Sequence, residues 1–107
     1  MPKYLFEVDY TTEGTQGLLK DGGSKRRAVV DKAVKEVGGK LEAFYFTFGI
    51  RDAVVIVDVP DQATAIAISL AVSASGSVKF RTTQLISPED VDKATKVKIG
   101  YKAPGAK

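Results

Sequence analysis

The 107-residue sequence contains no cysteine and no histidine. Without cysteine there is no disulfide, no thiolate metal site and no cysteine nucleophile. Without histidine, the commonest general base and the commonest side-chain ligand of metals and haem are missing. The only thioether belongs to Met1, so we do not expect haem to be held by an ordinary axial side chain. We therefore predict no cofactor and no metal.

Long apolar runs are also missing. The longest, residues 63–74, is interrupted by Thr64, Ser69 and Ser73, and a membrane-spanning helix needs about 20 apolar residues. Glu7 interrupts the N-terminal run before a signal peptide could form. Apolar residues make up 44% of the chain and charged residues 27%, a balance typical of globular domains. We expect a cytoplasmic protein of one domain with no membrane partner.

Positive charge is scarce outside the C-terminal segment. Sixteen Lys and Arg against thirteen Asp and Glu give a net charge of +3. Residues 93–107 hold five of these lysines and no acid, so residues 1–92 carry 16 − 5 = 11 basic and 13 acidic side chains, a net of −2. Such a body lacks the positive field that nucleic acids require. The sequence argues against nucleic-acid binding and divides into a domain at 1–95 and a basic arm at 96–107.

Hydrophobic periodicity predicts four strands. Apolar and polar residues alternate with a period of two over residues 4–10, 41–48 and 78–86. Residues 53–59 are almost wholly apolar and β-branched, which is typical of a central strand covered on both faces.

Helical spacing separates the strands. One helix is predicted from Ser24, as its cap, to residue 37, and a second over residues 62–74 with Asp61 as its cap. Leu18 and Leu19 suggest a short helical turn before the first of these helices. Ser87, followed by proline and two acids, opens a short helix near residues 91–95.

This order of elements predicts an α+β, ferredoxin-like βαββαβ fold with a four-stranded antiparallel sheet, a short C-terminal helix and a basic tail. Two helices can cover only one face of the sheet, while the second strand offers aromatic residues to the other. The helix at 62–74 is apolar nearly all round, so it is expected to make a subunit contact. If its 63–66–67–70–74 stripe enters the core, Ile68 and Val72 face outward. We therefore expect a homo-oligomer, dimeric or higher.

Four segments carry a resemblance to a known family: residues 4–8, 22–27, 38–46 and 49–52. Together they resemble the GYD domain family over about residues 3–94, and residues 101–106 resemble the tail of one of its branches. In the namesake Gly-x-Tyr-Asp motif, Gly49 and Asp52 match, but Arg51 replaces the tyrosine, so no role of that tyrosine is carried over. The resemblance implies the dimeric α+β barrel fold, in which two sheets pack face to face. That wider group includes cofactor-free monooxygenases, haem binders and oligomeric sensor modules, so the resemblance implies no single activity.

A glycine-led basic run is the first candidate site. Ser24, Lys25 and Arg26 follow two glycines at a predicted helix start, where free N–H groups and cations can bind an anion. The alternative is a loop-to-helix junction with solvated charges.

The hairpin end and the strand aromatics provide the other candidates. Asp52, beside Arg51, is either a proton acceptor or ligand anchor, or a turn residue that accepts backbone N–H bonds. Tyr45 and other strand aromatics either line an apolar ligand cavity or form plain core.

Acidic residues on the strands offer one further pattern. One or more of Glu7, Asp9 and Asp58 is expected to share a face with Arg81 or Lys79, and such groups are expected to form cross-strand ion pairs across the dimer seam. The less favoured alternative is an oxygen-only metal site, which usually has denser acids.

Three functions remain open. The first is an oligomeric module that binds or senses a small apolar or anionic molecule. The second is a cofactor-free oxygenase or isomerase for an aromatic or apolar substrate, in which Tyr45, Asp52 and Arg51 polarise the substrate and move a proton. The third is a structural assembly protein whose basic arm binds a partner. A ligand that copurifies in a cavity between sheet and helices favours the first two functions, and a cavity filled entirely by core side chains favours the third.

Overall fold

The computed structural model describes residues 1–106. Its elements, in chain order, are β1 (Lys3–Tyr10), α1 (Thr12–Asp21), α2 (Gly23–Glu36), β2 (Lys40–Phe46), β3 (Ala53–Asp58), α3 (Gln62–Ala74), β4 (Val78–Leu85) and α4 (Pro88–Thr95). The four strands form one antiparallel sheet in the order β2-β3-β1-β4. This confirms the predicted ferredoxin-like α+β fold, with β1 and β3 at the centre.

The sheet has a covered face and a bare face. On the covered face, Tyr4 and Phe6 of β1 lie opposite Val57 and Val55 of β3, and all four are buried. Helices α2 and α3 pack over this face. The ring of Phe6 also meets that of Phe80 edge-on at 5.3 Å, an arrangement that adds about 0.5–1.5 kcal/mol to the burial of the two rings.

The bare face is formed by the alternate residues of the same strands. In this face Glu7 of β1 lies opposite Val54 of β3, and Val54 lies opposite Tyr45 of β2; Leu5 and Ile56 form the next pair. The expectation that β2 presents an aromatic ring here therefore holds for Tyr45, which is 67% exposed. Its neighbouring phenylalanines in β2 point to the covered face.

The segment between β1 and α2 is more regular than its glycines suggested. The predicted short turn around Leu18 is a ten-residue helix, α1, capped by the hydroxyl of Thr11. Gly14 lets this helix approach the start of β4, because a Cβ at that position would lie 1.9 Å from the carbonyl oxygen of Ser77. Glycines lower helix propensity, so sequence alone underestimated a helix that tertiary packing stabilises.

The predicted Ser24 cap is wrong, and the other two predicted caps are confirmed. Gly22, at φ 82°, donates its N–H to the Leu18 carbonyl at the end of α1 and is also the N-cap of α2. Helix α2 therefore begins before Ser24, with no side-chain hydrogen bond at its cap. Asp61 caps α3 by accepting the Thr64 N–H at 2.8 Å, and this bond, the largest cause, lowers the pKa of the carboxyl. Ser87 caps α4 in the same way.

Helix α3 buries the opposite side from the one considered in the sequence analysis, where Ile68 and Val72 would face outward. Ile68 and Val72 face the sheet, whereas Ile66 and Leu70 are 52% and 67% exposed. The small Ala65 is buried against the core, which lets the helix approach the sheet on that side. Because the helix is apolar all round, its periodicity could not show which side would be buried.

The C-terminal part of the chain extends away from the sheet. Residues 96–106 lie outside any helix or strand, and all of them are exposed. The molecule measures 62 × 32 × 23 Å. Within residues 1–106, no helix is both long and apolar enough to cross a bilayer.

Candidate functional site

An apolar cavity of about 130 Å³ lies between the covered face of the sheet and helices α2 and α3. Helix α2 packs mainly on β2, and α3 on β4, so the space above the central strands is bounded by side chains from both helices. Its walls include Val8, Phe44, Val55, Phe80, Val30, Val34, Ile68 and Val72. The arrangement can hold an apolar molecule against the sheet, and the exposed Val29 and Ala33 mark the side on which the cavity opens to solvent.

The cavity has one polar end, formed by Tyr10 and Arg26. Tyr10 is the last residue of β1, and its ring stacks on that of Phe46 with centroids 6.5 Å apart. Arg26 lies in the first turn of α2, and both side chains are half-buried. Burial, the largest cause, raises the pKa of the Tyr10 phenol above its usual 10, although the Arg26 guanidinium opposes the rise. The phenol is therefore protonated at neutral pH and can donate a hydrogen bond.

Asp52 fastens the β2–β3 loop to the end of β1. Its carboxylate accepts the Tyr10 N–H at 2.8 Å. Its own N–H donates to the Val8 carbonyl at 2.9 Å, and its carbonyl accepts the Thr47 N–H at 2.8 Å. These bonds match the backbone-binding role that the sequence left open. The carboxylate also helps to raise the pKa of the Tyr10 phenol.

Arg51 and Tyr45 lie away from the cavity. The Arg51 guanidinium contacts Asp9 at 2.9 Å and Glu7 at 3.5 Å, on the bare face of the sheet, where Tyr45 also lies. The structure thus places Arg51 and Tyr45 on the face opposite the cavity, while Asp52 anchors backbone at the cavity end.

The residues of the basic run at the start of α2 also lie in different places. Ser24 lines a separate hollow of about 210 Å³, together with Arg27 and Phe46. Gly23 allows this close approach, since a Cβ there would lie 2.8 Å from the Phe46 ring. Lys25 is exposed and forms an ion pair with Asp21 at 3.5 Å. Arg26 therefore is the member of the candidate run that reaches the apolar cavity.

A family model described as the GYD domain matches residues 4–95. This chain belongs to the GYD domain family. The match extends from β1 to the end of α4, so it includes the whole sheet, the cavity and the polar end. Comparison with curated proteins and with solved structures gives no significant match.

Ion pairs on the bare face of this GYD domain differ from those expected. Lys79 and Arg81 do lie opposite Asp9 and Glu7 in register, but the two carboxylates bind Arg51 instead.

At the other end of the face, Lys3 contacts Glu42 and also Asp58, the latter at 3.1 Å. The hydrogen bond to Glu42, the largest cause, and the one to Asp58 raise the pKa of the lysine. The acids of the strands are therefore held in ion pairs. Among residues 1–106 the structure shows no cluster of three or more side chains suited to a metal.

The sequence did not single out Tyr10 among the strand aromatics that could line a cavity. It lies in β1 in phase with Tyr4 and Phe6. The available signal was its position as a polar-tipped aromatic at the end of an apolar strand face, where such a residue can keep its hydroxyl near water.

Proposed function

We propose that this GYD domain is a homo-oligomeric module that binds a small apolar molecule in the cavity between the sheet and helices α2 and α3. The cavity itself carries the proposal. An apolar cavity of about 150 Å³ can hold benzene, so the 130 Å³ space suits one aromatic ring or a short branched chain.

The open side of the cavity supports access by a ligand. Val29 and Ala33 of α2 line the cavity and are exposed, so a molecule can enter from solvent without unfolding the helix. An apolar hollow with few polar groups is the usual form of a small-molecule site.

The bare face supports the oligomeric part of the proposal. Leu5, Val54 and Ile56 are only half-buried there, and Tyr45 is exposed. The acids around them already have cationic partners, so a second copy could cover this strip without leaving those charges unpaired. A two-fold axis would bring the same strip of both copies together.

Benzene is the direct probe of the cavity. Titration followed by methyl NMR should shift the signals of wall residues such as Val30 and Ile68. Val72→Phe, which fills the cavity, should weaken binding by at least about tenfold. Ile66→Phe, on the exposed side of α3, is the matched control and should bind as the wild type does. Absence of benzene-induced shifts in the wild type would contradict the proposal.

A further inference from the structure

We infer that the ligand is a small aromatic or branched monocarboxylate, with its carboxylate held by Arg26 and Tyr10 and its apolar part in the cavity. The inference rests on the proposed function, since it uses the same cavity. It adds the chemical class of the ligand and the two residues that select it.

The cavity lining is apolar except at one end. Of the side chains that line it, only the Tyr10 phenol and the Arg26 guanidinium carry polar groups. A ligand that fills the space therefore meets hydrogen-bond donors at one place only. Such sparse, convergent polar groups set the orientation of ligands in apolar pockets.

Arg26 has no anionic partner of its own in the described chain. The ion pairs found among residues 1–106 involve Lys3, Lys25, Lys35 and Arg51. The first turn of α2 contains no acid either. The half-buried Arg26 guanidinium has the Tyr10 hydroxyl beside it but no counter-ion to offset the hydration that it loses. A ligand carboxylate would provide that partner and could accept two parallel hydrogen bonds from the planar fork.

Tyr10 adds a second donor to the same place. Because burial raises the pKa of its phenol, the hydroxyl keeps its proton at neutral pH and can donate to a carboxylate oxygen. Asp52 is the nearby negative group, but its carboxylate is exposed and accepts the Tyr10 N–H. Its charge reaches the Tyr10 phenol, since it helps to raise that pKa, so the Arg26 guanidinium must offset the repulsion between Asp52 and a ligand anion.

The charge count favours a monoanion. Lys25 is paired with Asp21, and Arg27 lines the other hollow. The cavity end has one cation, Arg26, with the anionic Asp52 nearby, so the second charge of a phosphate monoester would be uncompensated and would add to the repulsion.

The test compares benzoate with benzamide, its neutral isostere, and uses benzene to report on the cavity alone. At about pH 7, where benzoate is ionised, NMR titration of the wild type should give benzoate at least about tenfold tighter binding than benzamide. Arg26→Gln should remove that preference and leave benzene binding unchanged. Arg27→Gln, the neighbouring cation outside the cavity, is the control and should keep the preference.

Each other result has a definite meaning. Benzene binding with equal affinities for benzoate and benzamide overturns the inference and leaves the proposed function standing. A benzoate preference that survives Arg26→Gln also overturns it, because the anion then binds elsewhere. Failure of all three probes contradicts the proposed function itself. If Arg26→Gln does not fold, Tyr10→Phe supplies the comparison and should weaken benzoate about threefold or more relative to benzamide.

Discussion

The two faces of the sheet are built from the same four strands but differ in what their side chains contact. On the covered face, the side chains pack beneath two helices and still leave a cavity with one polar end. On the bare face, charged side chains of neighbouring segments form ion pairs with one another, and an apolar strip remains between these pairs. The difference suggests that the covered face is arranged for a small ligand and the bare face for a second copy of the chain.

Removing a ring from the covered face should have the largest effect. Phe6→Ala takes away a buried side chain that packs on Phe80, and we expect a loss of about 3–5 kcal/mol in the free energy of unfolding. Leu5→Ala, the preceding residue of β1 but on the bare face, should cost less than half as much when unfolding is measured at concentrations low enough to keep the chain monomeric, because Leu5 is half-buried in the single chain. Urea unfolding of both variants measures the difference, and equal costs would contradict the assignment of the faces.

A charge on the bare face should break the proposed dimer. Val54→Glu places a carboxylate opposite Glu7, in the strip that a second copy would cover. We expect the dimer dissociation constant to rise by at least about 100-fold, as measured by sedimentation equilibrium. Wild-type protein that is monomeric at micromolar concentration would contradict the proposal.

Ile66→Glu is the control for this experiment. Its side chain lies on the exposed side of α3, away from the bare face, so this variant should remain a dimer. If the wild type forms assemblies larger than a dimer, the same variant should stop at the dimer, because Ile66 and Leu70 then lie in the second contact.

The polar end of the cavity should give a smaller effect that depends on pH. Burial raises the pKa of Tyr10 in the folded protein, so its contribution to stability is complete below the unfolded pKa of about 10. The contribution is lost as pH rises through the folded pKa. Unfolding free energies measured between about pH 9 and 11 should therefore fall more steeply for the wild type than for Tyr10→Phe. Parallel slopes would contradict a protonated, half-buried phenol.

The C-terminal arm should matter least for stability. Residues 96–106 are exposed and form neither helix nor strand, so a chain ending at Thr95 should keep its thermal midpoint within about 4 °C. A shift of about 4–8 °C corresponds to about 1 kcal/mol in a domain of this size. Insoluble protein on removal of the arm would show that the arm belongs to the fold.

Local patterns were enough to predict the order of the elements. Alternation in β1 and the apolar run of β3 are properties of consecutive residues, and they predict two strands, of which β3 is central. The right-handedness of crossovers then places β1 beside β3, as the sheet order confirms. The Asp61 and Ser87 caps were predictable for the same reason, since each acts on an N–H three residues ahead.

Contacts between distant residues decided the candidate site. Arg26 became a cavity residue because α2 packs over the sheet and brings it beside Tyr10, and nothing in the basic run distinguishes it from Lys25 or Arg27. The buried side of α3 likewise depended on which residues fit against the sheet. A helix that is apolar all round has no preferred side of its own, so only packing against β4 could turn Ile68 inward and leave Ile66 exposed.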